Sequence, residues 1–148
     1  MKKEIKLVPL KKTDFDQVIL LLKQLWPNKK INETNVKTTL LKQLKDKKRH
    51  LILMIKCYKE TIGMITISWR LNLDVEGLLG SIDEFIIDEK YRGMGIGTGV
   101  IKKAIEICKK RKTKGVTILS ALHRKEAHNF YIKNGVPKTC YAFEKSFN

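Results

Sequence analysis

The chain has few of the residues that mark specialised protein classes. Three of its 148 residues are cysteine, three are proline and 7% are aromatic. Cys57, Cys108 and Cys140 are odd in number and far apart, with no C-x-x-C or Cys/His spacing. That excludes a disulfide framework and argues against a zinc site. The three read as reduced thiols in or near the core, and no metal is expected. No stretch approaches the roughly 18 to 20 apolar residues of a membrane span; the longest runs, such as Leu51 to Ile55, break within a few positions. Met1-Lys2-Lys3 opens like a leader, but Glu4, Lys6 and Lys11-Lys12 fall where its apolar core should follow, so the chain reads as cytoplasmic. No repeat, low-complexity tract or Pro/Gly/Ser linker divides it. Residues 1–148 read as one domain, long enough to bury a real core.

Arginine and acidic residues are scarce too. Lysine plus arginine number 31 against 15 acids, a formal charge of +16, and only five of the 31 are arginine. Such a charge makes any polyanion a candidate partner. Base readout and bidentate phosphate clamping favour arginine, however, and no nucleic-acid module or aromatic-interleaved basic motif is present, so a basic nucleic-acid binder stays an alternative only. From Leu71 through Glu89 there is no basic residue, yet this window holds Asp74, Glu76, Asp83, Glu84, Asp88 and Glu89. The chain is a basic body with one acidic island, which in the plain reading is a solvated loop and strand end paired with surplus lysines.

Alternation over Glu4 to Val8 predicts a strand. Thr13, as N-cap, opens a helix through Phe15, Val18, Ile19, Leu22, Leu25 and Trp26 that Pro27 ends. Asn32 to Lys48 carries a second helical pattern. His50–Tyr58 and Thr61–Arg70 read as an antiparallel hairpin, Ile82–Ile87 and Val116–Leu119 as further strands, and Cys140–Phe147 as a last one. The apolar spacing of Val100, Ile101, Ala104, Ile105 and Cys108 predicts a helix that ends in basic residues, and Lys125–Lys133 predicts another. This order is an α/β domain around a mixed sheet.

The sharpest local feature is Ile87-Asp88-Glu89-Lys90-Tyr91-Arg92-Gly93-Met94-Gly95-Ile96-Gly97-Thr98, between a strand and a helix. Alternate glycines let the backbone approach an anion, and a helix N-terminus adds unpaired N–H groups and partial positive charge. The dinucleotide fingerprint needs a glycine at 98 or 100 but meets Thr98 and Val100. The P-loop needs Gly-Lys-Ser/Thr, which is absent. Arg-x-x-Gly-x-Gly does fit, and it resembles the coenzyme A pyrophosphate loop of the GNAT-type N-acetyltransferase superfamily. A second segment, Ala127-His128-Asn129-Phe130-Tyr131-Ile132-Lys133-Asn134-Gly135-Val136, is similar to that family's later motif. Arg124 stands where many members have Asn, and Val136 where Phe is common. With His123 and Arg124, the run looks like the branch that includes small-amine and aminoalkylphosphonate acetyltransferases. The resemblance is strong over residues 80 to 147, and in the N-terminal half it extends only to element order.

The resemblance implies a mostly antiparallel mixed sheet flanked by helices, with its fourth and fifth strands splayed. It also implies acetyl-CoA as cosubstrate, a small-molecule primary amine as acceptor, and a possible homodimer. By the same resemblance, Arg92, Gly93, Met94, Gly95, Ile96, Gly97 and Thr98 hold the pyrophosphate. Phe85, Ile86 and Ile87 pair with the pantetheine arm like an added strand, and Asn129, Phe130 and Lys133 line the cofactor. Tyr131 matches the position of a general acid for the departing thiolate, against a packing role beside Phe130. For the base, Glu84 in the acidic island is the candidate, with His123 and His128 as rivals; alternation places Asp83 on the opposite face. Arg124 is a candidate for meeting a phosphate or phosphonate on the acceptor. Cys140 as acyl carrier has no local base to activate it, so direct attack in a ternary complex is expected. A coenzyme A-binding regulatory domain without turnover is the other alternative.

Overall fold

The computed structural model describes residues 4–147; Met1, Lys2 and Lys3, where the leader-like start was read, lie outside them, as does Asn148. Five strands form one sheet in the spatial order β1 (Ile5–Pro9), β2 (His50–Cys57), β3 (Glu60–Asn72), β4 (Gly77–Ile87) and β5 (Gly115–Ile118). Neighbours from β1 to β4 are antiparallel, and β4 pairs β5 in parallel. A parallel pair needs a crossover, which α3 (Ile96–Lys110) supplies. The sheet is thus mixed and mostly antiparallel, as expected.

Strand alternation assigns the two faces. On β2, Ile52 and Met54 join Phe15, Val18 and Leu22 of α1 (Phe15–Leu25) and Leu40 of α2 (Glu33–Lys45). Leu53, Ile55 and Cys57 join Val100, Ile101, Ala104 and Cys108 of α3 on the other face. The apolar stripe of α1 is the 3.6-residue repeat read from sequence. Its start differs: Thr13 lies in a 3-10 turn over Lys12–Asp14, and Asp14 accepts a hydrogen bond from the Lys11 N–H (2.9 Å). Asn32 caps α2 by accepting from the Asn35 N–H at 3.0 Å. That helix stops at Lys45 rather than Lys48, because the Asp46 carboxylate turns to accept from the Arg49 N–H. No helix among the described residues is long and apolar enough to cross a membrane.

Two expectations need correction. β3 and β4 extend to Asn72 and back from Gly77, so the acidic loop is the tip of a long hairpin, with Glu76 at positive φ. Residues Cys140–Phe147 form no strand: no neighbouring strand offers them a hydrogen-bond ladder, and an extended segment without one gains nothing from β geometry. Tyr141, Phe143 and Phe147 are 70%, 95% and 88% exposed, and Cys140 is exposed while Cys57 and Cys108 are buried.

Candidate active site

The site is organised by an irregularity in the β3–β4 ladder. Ile65 pairs with Phe85, but Ile67 pairs with Ile82, so Asp83 and Glu84 together oppose Thr66. Such a bulge adds one residue and reverses the alternation beyond it. Ile82 packs toward α3, yet Ile86 joins the α1–α2 cluster and Glu84 lines a cavity on that same side. The simple two-residue period that separated Asp83 from Glu84 therefore does not apply. Asp83 is exposed and accepts a hydrogen bond from Ser81 Oγ at 2.7 Å, near enough to Glu84 to act on its charge.

The cavity, about 350 Å³, lies under α1 and α2. Val18, Leu22, Leu40 and Met64 give it apolar walls, while Thr66 and Glu84 are its polar groups on the sheet. Exposed Lys29 and Lys30, from the α1–α2 connection, also line it. Thr66 Oγ1 accepts from the Glu84 N–H at 2.8 Å and donates its proton to the Glu84 carboxylate. Burial pushes the Glu84 carboxyl above its ordinary range. The Thr66 hydrogen bond opposes that rise, Asp83 adds to it, and His50 and Lys29 pull it down.

Beyond Ile82, β4 has lost its β5 neighbour. The β4–β5 pairing ends at Ile82 with Ile118, whereas β4 continues to Ile87. The strands splay there, as expected. Aromatic rings stand in the opening: Phe85 and Phe130 lie 6.1 Å apart between centroids, and Phe130 meets Tyr131 edge-on at 5.4 Å. A Cβ at Gly97 would sit 3.2 Å from the Phe130 ring, a tight contact, so glycine lets α3 and α4 (Lys125–Lys133) approach this closely without the ring giving way. Gly93 and Gly95 have φ of +75°, a left-handed conformation that glycine adopts freely. Gly95 is the N-cap of α3 and supplies no capping side chain, and no acidic residue occupies the first turn. The first-turn amides of a helix lack intrahelical partners, so this end is built for an anion. Arg92 anchors the approach, its Nε donating to the Ile87 carbonyl at 2.9 Å. On the α1 side, Gln24 Nε2 donates to Asp88 (3.1 Å) and Gln24 Oε1 accepts from the Glu89 N–H (3.2 Å), which fixes the loop to the helix roofing the cavity.

A model of the "Acetyltransferase (GNAT) family" matches residues 16–136. The chain belongs to the GNAT acetyltransferase family. It is 25% identical over 87 residues to an aminoalkylphosphonate N-acetyltransferase of Salmonella typhimurium, covering 59% of this chain and 56% of that one. The chain therefore matches little more than half of that relative's length. Its fold matches a crystal structure of a transcriptional regulator from Bacillus halodurans C-125 (TM-score 0.86, 19% identity, 97% and 100% of the two chains). It also matches glucosamine-6-phosphate N-acetyltransferase from Arabidopsis thaliana (TM-score 0.81, 20% identity, 98% and 99%).

Within this GNAT fold the residues singled out from sequence fall into two groups. Phe85, Gly97 and Phe130 meet at the splay, with Ile87 and Arg92 joined to them by the β4–α3 turn. Ile86 faces the α1–α2 core and offers only its backbone to the opening. Asn129 and Lys133 are exposed one turn apart on α4. Tyr131 is half-buried, and its burial raises the phenol pKa while Arg124 pulls it down. The Arg124 guanidinium donates to the Leu25 carbonyl, tying α4 to the end of α1. His128 Nε2 lies 2.9 Å from the Ala121 carbonyl, a bond that occupies that nitrogen, and His123 is exposed. Thr66 and Gln24 escaped the sequence reading. One hydroxyl within a β-rich run and one amide on a helix carry no motif, and only the bulge and the loop geometry give them work.

Proposed function

We propose that the chain transfers the acetyl group of acetyl-CoA to a primary amine of a small molecule by direct attack in a ternary complex. The observation that carries this reading is the division of labour along β4. Its bulge turns Glu84 into the α1–α2 cavity, and its end, open on the β5 side, runs beside the glycine turn. In this reading the amides of Gly93 to Thr98, with Arg92, hold the cofactor diphosphate. The open edge of Phe85 to Ile87 pairs the pantetheine arm, and Asn129, Phe130 and Lys133 flank it. The residues present fit that group: glycines at positive φ, no capping side chain, and no acid in the first turn.

Glu84 takes the proton from the acceptor ammonium, directly or through water. The free amine attacks the thioester carbonyl, the carbon–sulfur bond breaks, and Tyr131 protonates the departing thiolate. A raised carboxyl pKa suits a base that works near neutrality, and a raised phenol pKa keeps Tyr131 in its donating form. Lys29 and Lys30 line the same cavity, so an anionic substituent on the amine finds a place there. The named activities of the Salmonella and Arabidopsis relatives concern amines bearing such a group. Arg124, the other candidate for it, is held by Leu25.

A thiol-release screen over aminoalkylphosphonates, amino-sugar phosphates, aminoglycosides, polyamines and peptide N-termini tests the reading. Turnover with at least one amine is expected, abolished by E84Q. Tight acetyl-CoA binding without thiol release on any amine would support a regulatory coenzyme A-binding domain instead.

A further inference from the structure

We infer, resting on the acetyl transfer proposed above, that the acceptor is a primary amine whose unsubstituted hydrocarbon stem ends in an anionic group, and that it enters the α1–α2 cavity amine first. Three zones between the sheet and the cavity mouth point to this class. On the floor, the Glu84 carboxylate and the Thr66 hydroxyl are the polar groups that β3 and β4 supply, and Glu84 is the one acid in the lining. Beside them Val18, Leu22, Leu40 and Met64, all buried, form walls whose side chains carry no donor and no strong acceptor. At the mouth stand Lys29 and Lys30, both exposed. A ligand with hydroxyl groups along its body would lose their hydration against these walls without gaining partners. A hydrocarbon stem gains from the same burial.

The lysines at the mouth differ from their neighbours on the two helices. Lys23 pairs with Glu33 at 2.8 Å and Lys37 with Asp16 at 2.9 Å, whereas neither Lys29 nor Lys30 forms an ion pair among the described residues. Lys29 Nζ rests 4.7 Å from the centre of the Trp26 ring, itself part of the lining, and its charge reaches Glu84. One acid on the floor and two unpaired cations at the mouth therefore act on the same apolar space. That pattern matches a zwitterion whose charges lie at opposite ends. A plain alkylamine would leave the lysines unanswered, and a diamine would bring like charge to them. At about 350 Å³ the cavity is near the lower end of ligand sites, which run from about 300 to about 1,000 Å³. A slender stem suits it better than a body of several rings.

Thiol release from acetyl-CoA is to be measured with ω-aminoalkylphosphonates and ω-aminoalkanoates of increasing stem length. Alkylamines and α,ω-diamines of matching stems, amino-sugar phosphates and an aminoglycoside serve as comparisons. In both anionic series kcat/KM is expected to rise by about fourfold per methylene, the usual effect of burying a CH₂, and then to fall once the stem outgrows the cavity. The best member of each should exceed the alkylamine of the same stem by about tenfold or more, the effect of one hydrogen bond to a charged group. The double variant K29E/K30E changes only exposed side chains. It should reverse the order in favour of diamines, mainly through KM, with the parent's Tm and acetyl-CoA affinity. Rates indifferent to stem length, a preference for the amino-sugar phosphates or the aminoglycoside, or an acceptor order that K29E/K30E leaves intact would overturn this acceptor class while acetyl transfer stands. Thiol release with none of the amines would overturn acetyl transfer as well.

Discussion

Thr66 and Glu84 are joined twice: the Thr66 hydroxyl accepts from the Glu84 backbone N–H and donates to the Glu84 carboxylate. One side chain therefore holds the bulge open and lowers the pKa of the carboxylate the bulge presents. In T66V both bonds are lost while the shape is kept. The variant is expected to lose about 1–3 kcal/mol of stability, the usual cost of an unsatisfied buried donor, and the acid limb of its kcat/KM profile should move to higher pH. Urea unfolding and a pH–rate series check the two outcomes.

Glu84 also links stability to pH. Its folded pKa is raised above the unfolded value, chiefly by burial. A carboxyl shifted this way opposes folding once ionised: the stability present below the unfolded carboxylate range is lost as pH rises through the folded pKa. E84Q cannot ionise. Its Tm should therefore gain on the parent's as pH rises out of the ordinary carboxylate range and through the folded pKa of Glu84, while kcat falls by about a hundredfold or more for loss of a general base. A Tm difference that stays constant with pH would contradict the burial argument.

Tyr131 offers a separate handle. Y131F keeps the ring that packs beside Phe130 and removes only the hydroxyl. With the acid role, kcat drops by about 10² or more and the thermal transition barely moves. A packing role alone predicts the reverse order of effects. Steady-state rates set beside differential scanning fluorimetry distinguish them.

Gly95 and Gly97 should fail differently when changed to alanine. At Gly95 a Cβ meets nothing within 4 Å, so the cost is the left-handed backbone, about 1–2 kcal/mol. At Gly97 the Cβ would press on the Phe130 ring, which must give way slightly beside Tyr131. G95A should weaken acetyl-CoA binding with a modest loss of Tm, whereas G97A should also disturb Tyr131 and lower kcat. Calorimetric Kd values and turnover of the two variants check this.

How much of this was legible depends on whether the determinant is local. The turn at Gly93–Gly97, the α1 stripe and the splay after Ile82 could be expected, because glycine conformation, helical period and a family motif are written in consecutive residues. The Asp83–Glu84 bulge was not, since it exists only in the pairing of β4 with β3 and reverses a period that looks regular along the chain. The strand pattern of Cys140–Phe147 was legible too, but strand formation needs a partner, and the single chain brings none to it. Cys140 was misplaced for the same reason.

The central claim is that backbone amides of the Gly93–Thr98 turn grip the diphosphate of acetyl-CoA. Amide chemical shifts of the labelled chain, followed during titration with acetyl-CoA and in parallel with S-acetylpantetheine, which lacks the diphosphate, test it most directly. The account predicts large shifts at residues 93–98 with acetyl-CoA only, and shifts at Phe85–Ile87 with both. Shifts at 93–98 that are equal for the two compounds, or absent with acetyl-CoA, would contradict it.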